Sequence, residues 1–429
     1  MKTLLNLVAI LWIFSVNSRQ LDVVIRAPSA ILINGENGHI LYEKNARDHC
    51  PPASITKIVV AWYILEKFGN RLDEMAISSK EALLQTSPHI KKTDPSKHPS
   101  YRIEPKSSLM NLQVGEKISI RHLLYGLMLV SGNDAGNVLA EHFGGSIEGF
   151  VADINRFLQE HGCVHTAFVN PHGLHHIEHK TTAADMAKIA SRAMQNKEFA
   201  KLVSTVAYEC PASNKRSGEV LRQSNKLLMP GKYFYPKAIG VKTGHTSSAG
   251  FTLVAAARDQ KRLLIAVMLG CKEAEDRYLD AKALFETAFL EKKIVRTLLS
   301  QEDETFRIVI DGGKNPLQAR MGSSLTLEYY PSEEPNVHAE VEWTVKHFPI
   351  ARGDIVGEVR AIDEKGVIIQ KMPLFAETRV EATFWHKVER FKKAVLRFPL
   401  TIPLTVASCV ITLISLAILR IYKRGCTEK

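Results

Sequence analysis

Ser54 and Lys57 stand three residues apart in Pro52-Ala53-Ser54-Ile55-Thr56-Lys57-Ile58. On a helix such residues share a face, so the amine can reach the hydroxyl. A buried lysine loses part of its preference for the charged form. It can then take the serine proton and turn the oxygen into a nucleophile. The Ser54 amide, near a helix N-terminus, is placed to stabilise an oxyanion. This four-residue pattern alone arises often by chance. Two further elements give it weight. Ser131-Gly132-Asn133 follows an apolar helix, and Lys242-Thr243-Gly244 falls on an expected strand. Ser131 can relay a proton between the lysines and a leaving amine. Asn133 can hydrogen-bond a substrate backbone. Lys242 and the Thr243 hydroxyl can hold a carboxylate, and Gly244 lets the strand approach closely.

The order S-x-x-K, S-x-N, K-T-G is that of penicillin-binding proteins and β-lactamases. The chain resembles the low-molecular-mass penicillin-binding proteins that are serine-type D-Ala-D-Ala carboxypeptidases. Five blocks carry the resemblance: Pro52–Ile58, Ser131–Ala135, Phe168–Leu174, Thr182–Ala187 and Lys242-Thr243-Gly244-His245-Thr246. It covers most of 30–290 and continues weakly through Pro349–Gly353 and Pro373-Leu374. It implies acylation of Ser54 by a peptidoglycan stem peptide ending in D-Ala-D-Ala, release of the last D-alanine, and hydrolysis of the ester. It also implies the His245 amide as second oxyanion donor and β-lactams as covalent inhibitors. Ile239 departs from the family, which usually has an acidic residue there. The segment 85–107 is long, polar and basic, and reads as a loop or insertion.

These residues need elements to hold them. Ala30–Tyr42 reads as a hairpin around Asn34-Gly35 and Asn37-Gly38. Pro51-Pro52 breaks the chain, and a buried helix runs from Ser54 to Phe68 with Gly69 as its stop. Further helices are expected at 121–130, 135–143, 147–161, 182–196 and 274–289. Strands are expected at 241–242, 251–257 and 263–269. Residues 19–293 thus predict an α+β domain, a penicillin-binding-like antiparallel sheet with helices and an all-helical subdomain. Short alternating runs over 294–383 predict a small all-β, sandwich-like domain.

Location is written at the ends. Lys2 and the apolar run Leu4–Val16 have the form of a secretory signal over 1–18. Phe398–Leu419 carries no charge and is long enough to span about 30 Å of hydrocarbon. Arg420, Lys423 and Arg424 follow it and favour a cytoplasmic tail over 420–429. Phe384, Val388, Phe391 and Val395 at helical spacing make 384–397 an amphipathic juxtamembrane stretch. The expected place is therefore the outer face of a bacterial cytoplasmic membrane, held by one C-terminal span.

The alternatives are bounded by composition and motifs. The basic residues behind the net charge of +11 are scattered except for a cluster at Trp385–Arg397, without a nucleic-acid-binding motif, so the charge fits an anionic envelope or lipid surface and not nucleic acid. Cys50, Cys163, Cys210 and Cys271 are too widely spaced for a dense disulfide framework; one or two bridges, or none, are all compatible. His172, His175, His176 and His179 invite zinc, but Asn170-Pro171 breaks a continuous helix and no acidic ligand pair stands out. No metal and no cofactor are expected; His172 reads as a turn residue and the other three as a solvated loop. An endopeptidase cutting D-Ala cross-links, a β-lactamase and a non-catalytic wall-binding protein stay as alternative functions.

Overall fold

The computed structural model describes residues 5–14, 20–93, 98–345 and 347–395. The chain forms two compact units. Of the described residues, one holds those within Asn17–Ile294 and Tyr329–Glu334; the other holds 5–14, Val295–Glu328 and those from Pro335 to Val395.

The first unit is built on five antiparallel strands: β1 (Ser29–Asn34), β2 (Ile40–Lys44), β3 (Ala238–Thr246), β4 (Gly250–Asp259) and β5 (Arg262–Cys271). Their order across the sheet is β2-β1-β5-β4-β3, which leaves β3 at an edge. Strand side chains alternate between faces, and here both faces are apolar. Ile31, Ile33, Ile265 and Val267 enter one core, while Ala30, Leu32, Leu264 and Ala266 enter the other. A sheet buried on both sides needs helices on both sides.

The longer helices of the larger core are α1 (Lys57–Phe68), α2 (Ile120–Leu129), α3 (Asn133–Gly144), α4 (Ile147–Glu160), α5 (Ala183–Ala193) and α6 (Lys197–Ser204). Another, α7 (Asp276–Leu290), covers the other face through Tyr278, Leu284 and Phe285. α1 is buried on nearly every side, as its all-round apolar sequence requires. Truncating such a core side chain, Ile265→Ala for example, costs about 2–5 kcal/mol.

Sequence and structure differ in places. The helix expected over 182–196 ends at Ala193, and a further helix that the sequence did not announce, Lys197–Ser204, is capped by Asn196, which accepts from the Glu198 and Phe199 amides. The segment 85–107 is not simply a loop. Pro88–Thr93 is helical, and Tyr101 and Ile103 are buried. Asn137 of α3 donates to the Ala82 and Tyr101 carbonyls and so ties the segment down. The unit boundary is also not a single cut. The stretch 329–334 belongs to the first unit, where Glu333 pairs with Arg262 and accepts from Asn34.

The second unit contains a six-stranded sheet in the order Leu5–Phe14, Val337–Val345, Ile355–Asp363, Ile368–Ala376, Leu317–Met321, Phe306–Ile308. A two-stranded sheet pairs Ile294–Leu299 with Leu325–Tyr329. Val337, Ala339, Val341, Trp343 and Val345 point inward in strict alternation. The segment read as the centre of a leader, Leu5–Phe14, runs antiparallel along Val337–Val345. Helix Phe384–Val395 follows the sheet. Among the described residues no helix is long and apolar enough to cross a membrane. The span expected at 398–419 and the tail 420–429 lie outside the described residues.

Candidate active site

Pro51-Pro52 delivers the chain into a short 3-10 turn, Ala53–Thr56, which leads directly into α1. Ala53 has φ +51°, an uncommon conformation for a residue with a side chain. Neighbours hold it. The Thr56 hydroxyl donates to the Ala53 carbonyl at 2.8 Å, and the Thr252 hydroxyl donates to the Pro52 carbonyl at 3.0 Å. Gly173, at φ +91°, lies against Ala53 so closely that a Cβ would collide with the Ala53 carbonyl.

The Lys57 amine lies 3.1 Å from the Ser54 hydroxyl, 2.7 Å from Asn133 Oδ1 and 2.7 Å from the His172 carbonyl. As an ammonium it donates to all three. As a neutral amine it has two N–H groups for the two carbonyl oxygens and a lone pair for the serine proton. The neutral form is favoured here. Burial, and then the charge of Lys242, push the Lys57 amine well below the usual lysine range, against the pull of Asp134. Lys242 is itself brought down to about 7 by burial and then by Arg277.

Ser131 has φ +63° in the tight turn between α2 and α3, where the Gly132 amide donates to the Gly126 carbonyl. Asp134 explains the rest of that turn. Its buried carboxyl accepts from the Met110 and Leu112 amides at 2.8 and 3.0 Å and so fixes the chain before α2. Burial raises its pKa in spite of those bonds.

Ser54, Ser131, Asn133, Thr243, Gly244 and His245 line one cavity of about 310 Å³. A Cβ on Gly244 would stand 2.9 Å from the Ser54 amide nitrogen, so the glycine lets the β3 edge close on the serine turn. Lys57 and Lys242 are buried and are not part of the cavity lining. Lys242 donates to the Thr243 carbonyl at 3.1 Å and acts on the cavity through its charge. The eight residues singled out in the sequence are therefore brought together.

The structure adds residues that the motifs did not reveal. Arg277, in the first turn of α7, lines the cavity and donates to the Gly244 and Thr252 carbonyls. Ser224 places its hydroxyl 3.4 Å from that of Thr243. Lys106, at the end of the long inserted segment, lines the cavity too. No spacing rule joins these three to the motifs; only the fold does.

The histidines need a correction. His172 is a buried turn residue, as read, with its ring 3.0 Å from the Tyr101 carbonyl. His179 is not in a solvated loop. It is buried, stacks on Phe168, and accepts from the Val169 amide through Nδ1. Its Nε2 is 2.8 Å from the Thr56 hydroxyl, which already gives its proton to Ala53. Nε2–H is therefore the donor, and the ring supports the serine turn from below. Burial first, then His176 and His175, lower its pKa to about 3. Cys50, Cys163, Cys210 and Cys271 are all free thiols.

An activated serine beside a buried lysine, on a helix at the edge of an antiparallel sheet, defines an active-site serine hydrolase. Residues 15–273 match the D-alanyl-D-alanine carboxypeptidase model of peptidase family S11, so the chain belongs to that family of serine peptidases. It is 27% identical to D-alanyl-D-alanine carboxypeptidase DacF of Bacillus subtilis over 84% of this chain and 87% of that one. It is equally similar, at 27%, to DacC of Escherichia coli, over 87% and 90% of the two chains. Among solved structures, penicillin-binding protein 5 of Haemophilus influenzae superposes with a TM-score of 0.56 at 26% identity, covering 86% of this chain and all of that one. The Streptomyces K15 DD-transpeptidase gives 0.54 at 29% identity over 62% of this chain and 98% of its own.

Proposed function

We propose that this chain removes the terminal D-alanine from peptidoglycan stem pentapeptides through an acyl-enzyme on Ser54. In this reading neutral Lys57 takes the Ser54 proton as the oxygen attacks the penultimate D-alanine carbonyl. The Ser54 and His245 amides receive the oxyanion. Collapse breaks the D-Ala–D-Ala peptide bond, and the proton passes through Ser131 to the leaving amine. Water then hydrolyses the ester, returning Ser54 with its proton. Asn133 holds the peptide backbone. Thr243, Ser224 and Arg277 hold the terminal carboxylate, the buried Lys242 adds its charge, and β-lactams acylate the same serine. The observation that carries the reading is the Lys57 amine, 3.1 Å from Ser54 with both its other neighbours carbonyl acceptors. The names of the relatives support the same reaction.

The proposal also sets a place. The leader over 1–18 takes the catalytic unit outside the cytoplasmic membrane, and 398–419 anchors it there. Helix Phe384–Val395 suits the membrane surface, because Trp385 and Phe391 are 76% and 50% exposed beside Lys392 and Lys393.

The test is D-alanine release from a muramyl pentapeptide, with labelled penicillin as a second readout. The unmutated chain should release D-alanine and take up label at Ser54, and Ser54→Ala should do neither. Absence of labelling in the unmutated protein ends the proposal. Faster cleavage of a cross-linked dimeric peptide than of the pentapeptide would make the chain an endopeptidase instead.

A further inference from the structure

A hairpin of Ala207–Cys210 with Glu219–Arg222 supplies no residue to the catalytic cavity. Its tip reaches back toward the site through Arg216. The Arg216 guanidinium donates from Nε to the buried Glu116 carboxylate at 2.7 Å and from a terminal nitrogen to the Met110 carbonyl at 2.8 Å. It also donates to Glu219 of its own hairpin. One guanidinium thus grips both ends of the loop 110–116. Asn214 seats the tip on that loop, accepting from the Lys117 amide and donating to the Gly115 carbonyl.

Met110 links this grip to the chemistry. It is buried against Gly126 and Gly132, which flank the turn that carries Ser131. A Cβ on Gly126 would collide with the Met110 thioether, and one on Gly132 would stand 3.1 Å from the Met110 amide nitrogen. Two residues earlier, the Ser108 carbonyl accepts from the Asn133 amide at 2.9 Å. The bonds from Asp134 and Asn133 join this segment to the Ser131 turn. Arg216 joins it to a separate element. Ser131 has φ +63°, and a side-chain-bearing residue keeps such a conformation only where its surroundings over-determine it.

We propose that Arg216 is a positioning residue for Ser131: through Met110 it sets where the Ser131 hydroxyl stands when the leaving amine takes its proton. The inference rests on the reading of Ser131 as that proton relay. Leaving-group chemistry separates this role from general support of the fold. In peptide cleavage the Ser54 oxygen bonds to the carbonyl carbon, the C–N bond breaks, and the amine receives a proton passed from Lys57 through Ser131. In a thiolester of the same acyl group the C–S bond breaks instead. The thiolate leaves with its electron pair, and the proton stays on Lys57. A displaced Ser131 therefore slows the first reaction and spares the second, whereas a loosened fold slows both.

The experiment measures kcat/KM, which reports steps up to acylation, for a peptide ending in D-Ala-D-Ala and for the analogue in which a thioglycolate ester replaces the last D-alanine. The proteins are the full chain, Arg216→Met, Arg216→Met with Glu116→Gln, and Ser131→Ala as reference. Arg216→Met should lower the peptide value about tenfold and the thiolester value less than about twofold, the scale of a slightly misplaced catalytic group. Ser131→Ala should show the same selectivity with a loss of about 100-fold on the peptide. Equal losses on both substrates in Arg216→Met, or no loss on either, overturn the positioning role. If the single variant does not fold, the double variant decides by the same ratio, because it leaves no buried carboxylate without its cation. A Ser131→Ala that loses both substrates equally is a different result, because it ends the relay reading itself and the inference with it.

Discussion

The catalytic cavity and its neighbour lie along the same strand, β3, with different side chains around them. Lys106 and Arg277 line the first, with Lys57 and Lys242 buried behind it. Among the described residues, Glu104 and Glu178 line the second together with His98, His175 and His176. The first is polar, narrow and surrounded by donors; the second is more than twice as large. A cavity lined by cations attracts an anionic terminus and gives it a direction before any bond is made. The positive cavity also serves the chemistry, since clustered cations in a buried site depress one another's pKa values and so make a neutral base available.

The sharpest way to break the positive cavity is Lys57→Met. It removes the base while keeping the stem of the side chain, and should lower D-alanine release about 10³-fold. Penicillin acylation should fall in parallel, because the same proton transfer is needed. A variant that retained rapid acylation would remove Lys57 from the reaction.

Arg277→Leu tests whether the positive cavity holds an anion. Losing a charge-assisted hydrogen bond costs about 1.5–3 kcal/mol, so KM for the pentapeptide should rise about 10- to 100-fold with less change in kcat. A peptide amidated at its C-terminus should be nearly indifferent to the substitution. Equal loss on both peptides would mean that Arg277 acts only through the Gly244 and Thr252 carbonyls it supports.

Gly173 sits in the loop 169–178 that walls both cavities. Gly173→Ala forces a side chain at φ +91° into the Ala53 carbonyl and should destabilise the unit by about 1–3 kcal/mol. Thermal unfolding and penicillin labelling should both report the loss. A fully stable, fully labelled variant would show that the serine turn does not need this support.

The pH profile of kcat/KM gives the smallest effect. Lys57 works when deprotonated, so it sets a limb that rises with pH. Lys242 is proposed to attract the carboxylate through its charge when protonated, and its pKa is about 7. Below that value the cation is present and above it the cation is lost, so a falling limb follows. The fall between pH 6 and 8 is about tenfold at most, since the charged fraction changes by about that factor. Lys242→Met should remove the falling limb and keep the rising one. A profile unchanged by the substitution would dismiss Lys242 as the source of that attraction.

Much of the site was legible because its motifs are local. Ser54 and Lys57 are joined by one helical turn, and Lys242-Thr243-Gly244 by one strand edge, so spacing alone states their relation. Ser131 and Asn133 were legible through a short turn after an apolar helix. Arg277, Ser224, Lys106 and His179 were not, for a common reason. Each reaches the site from an element whose own sequence pattern says only helix or loop. His179 shows this most clearly, since it looks solvated in a histidine-rich stretch yet stacks on Phe168 beneath the serine turn. The paired sheet of the catalytic unit was legible from apolar runs, whereas the return of 329–334 to that unit depends on Glu333 meeting Arg262 and Asn34 across the fold.

By itself, then, the sequence determined the serine–lysine pair, the order of the three motifs and the α+β class, because each depends on residue type and on periods of two to four residues. Tertiary structure alone decided which groups were buried together. Tertiary packing lowers the pKa values of Lys57 and Lys242, brings Arg277 into the lining of the catalytic cavity, and sets a second cavity at the end of the same strand. Charge and desolvation act through space over a few ångströms, and the separations in sequence, from Lys57 to Lys242 and from Glu104 to Glu178, carry no record of those distances.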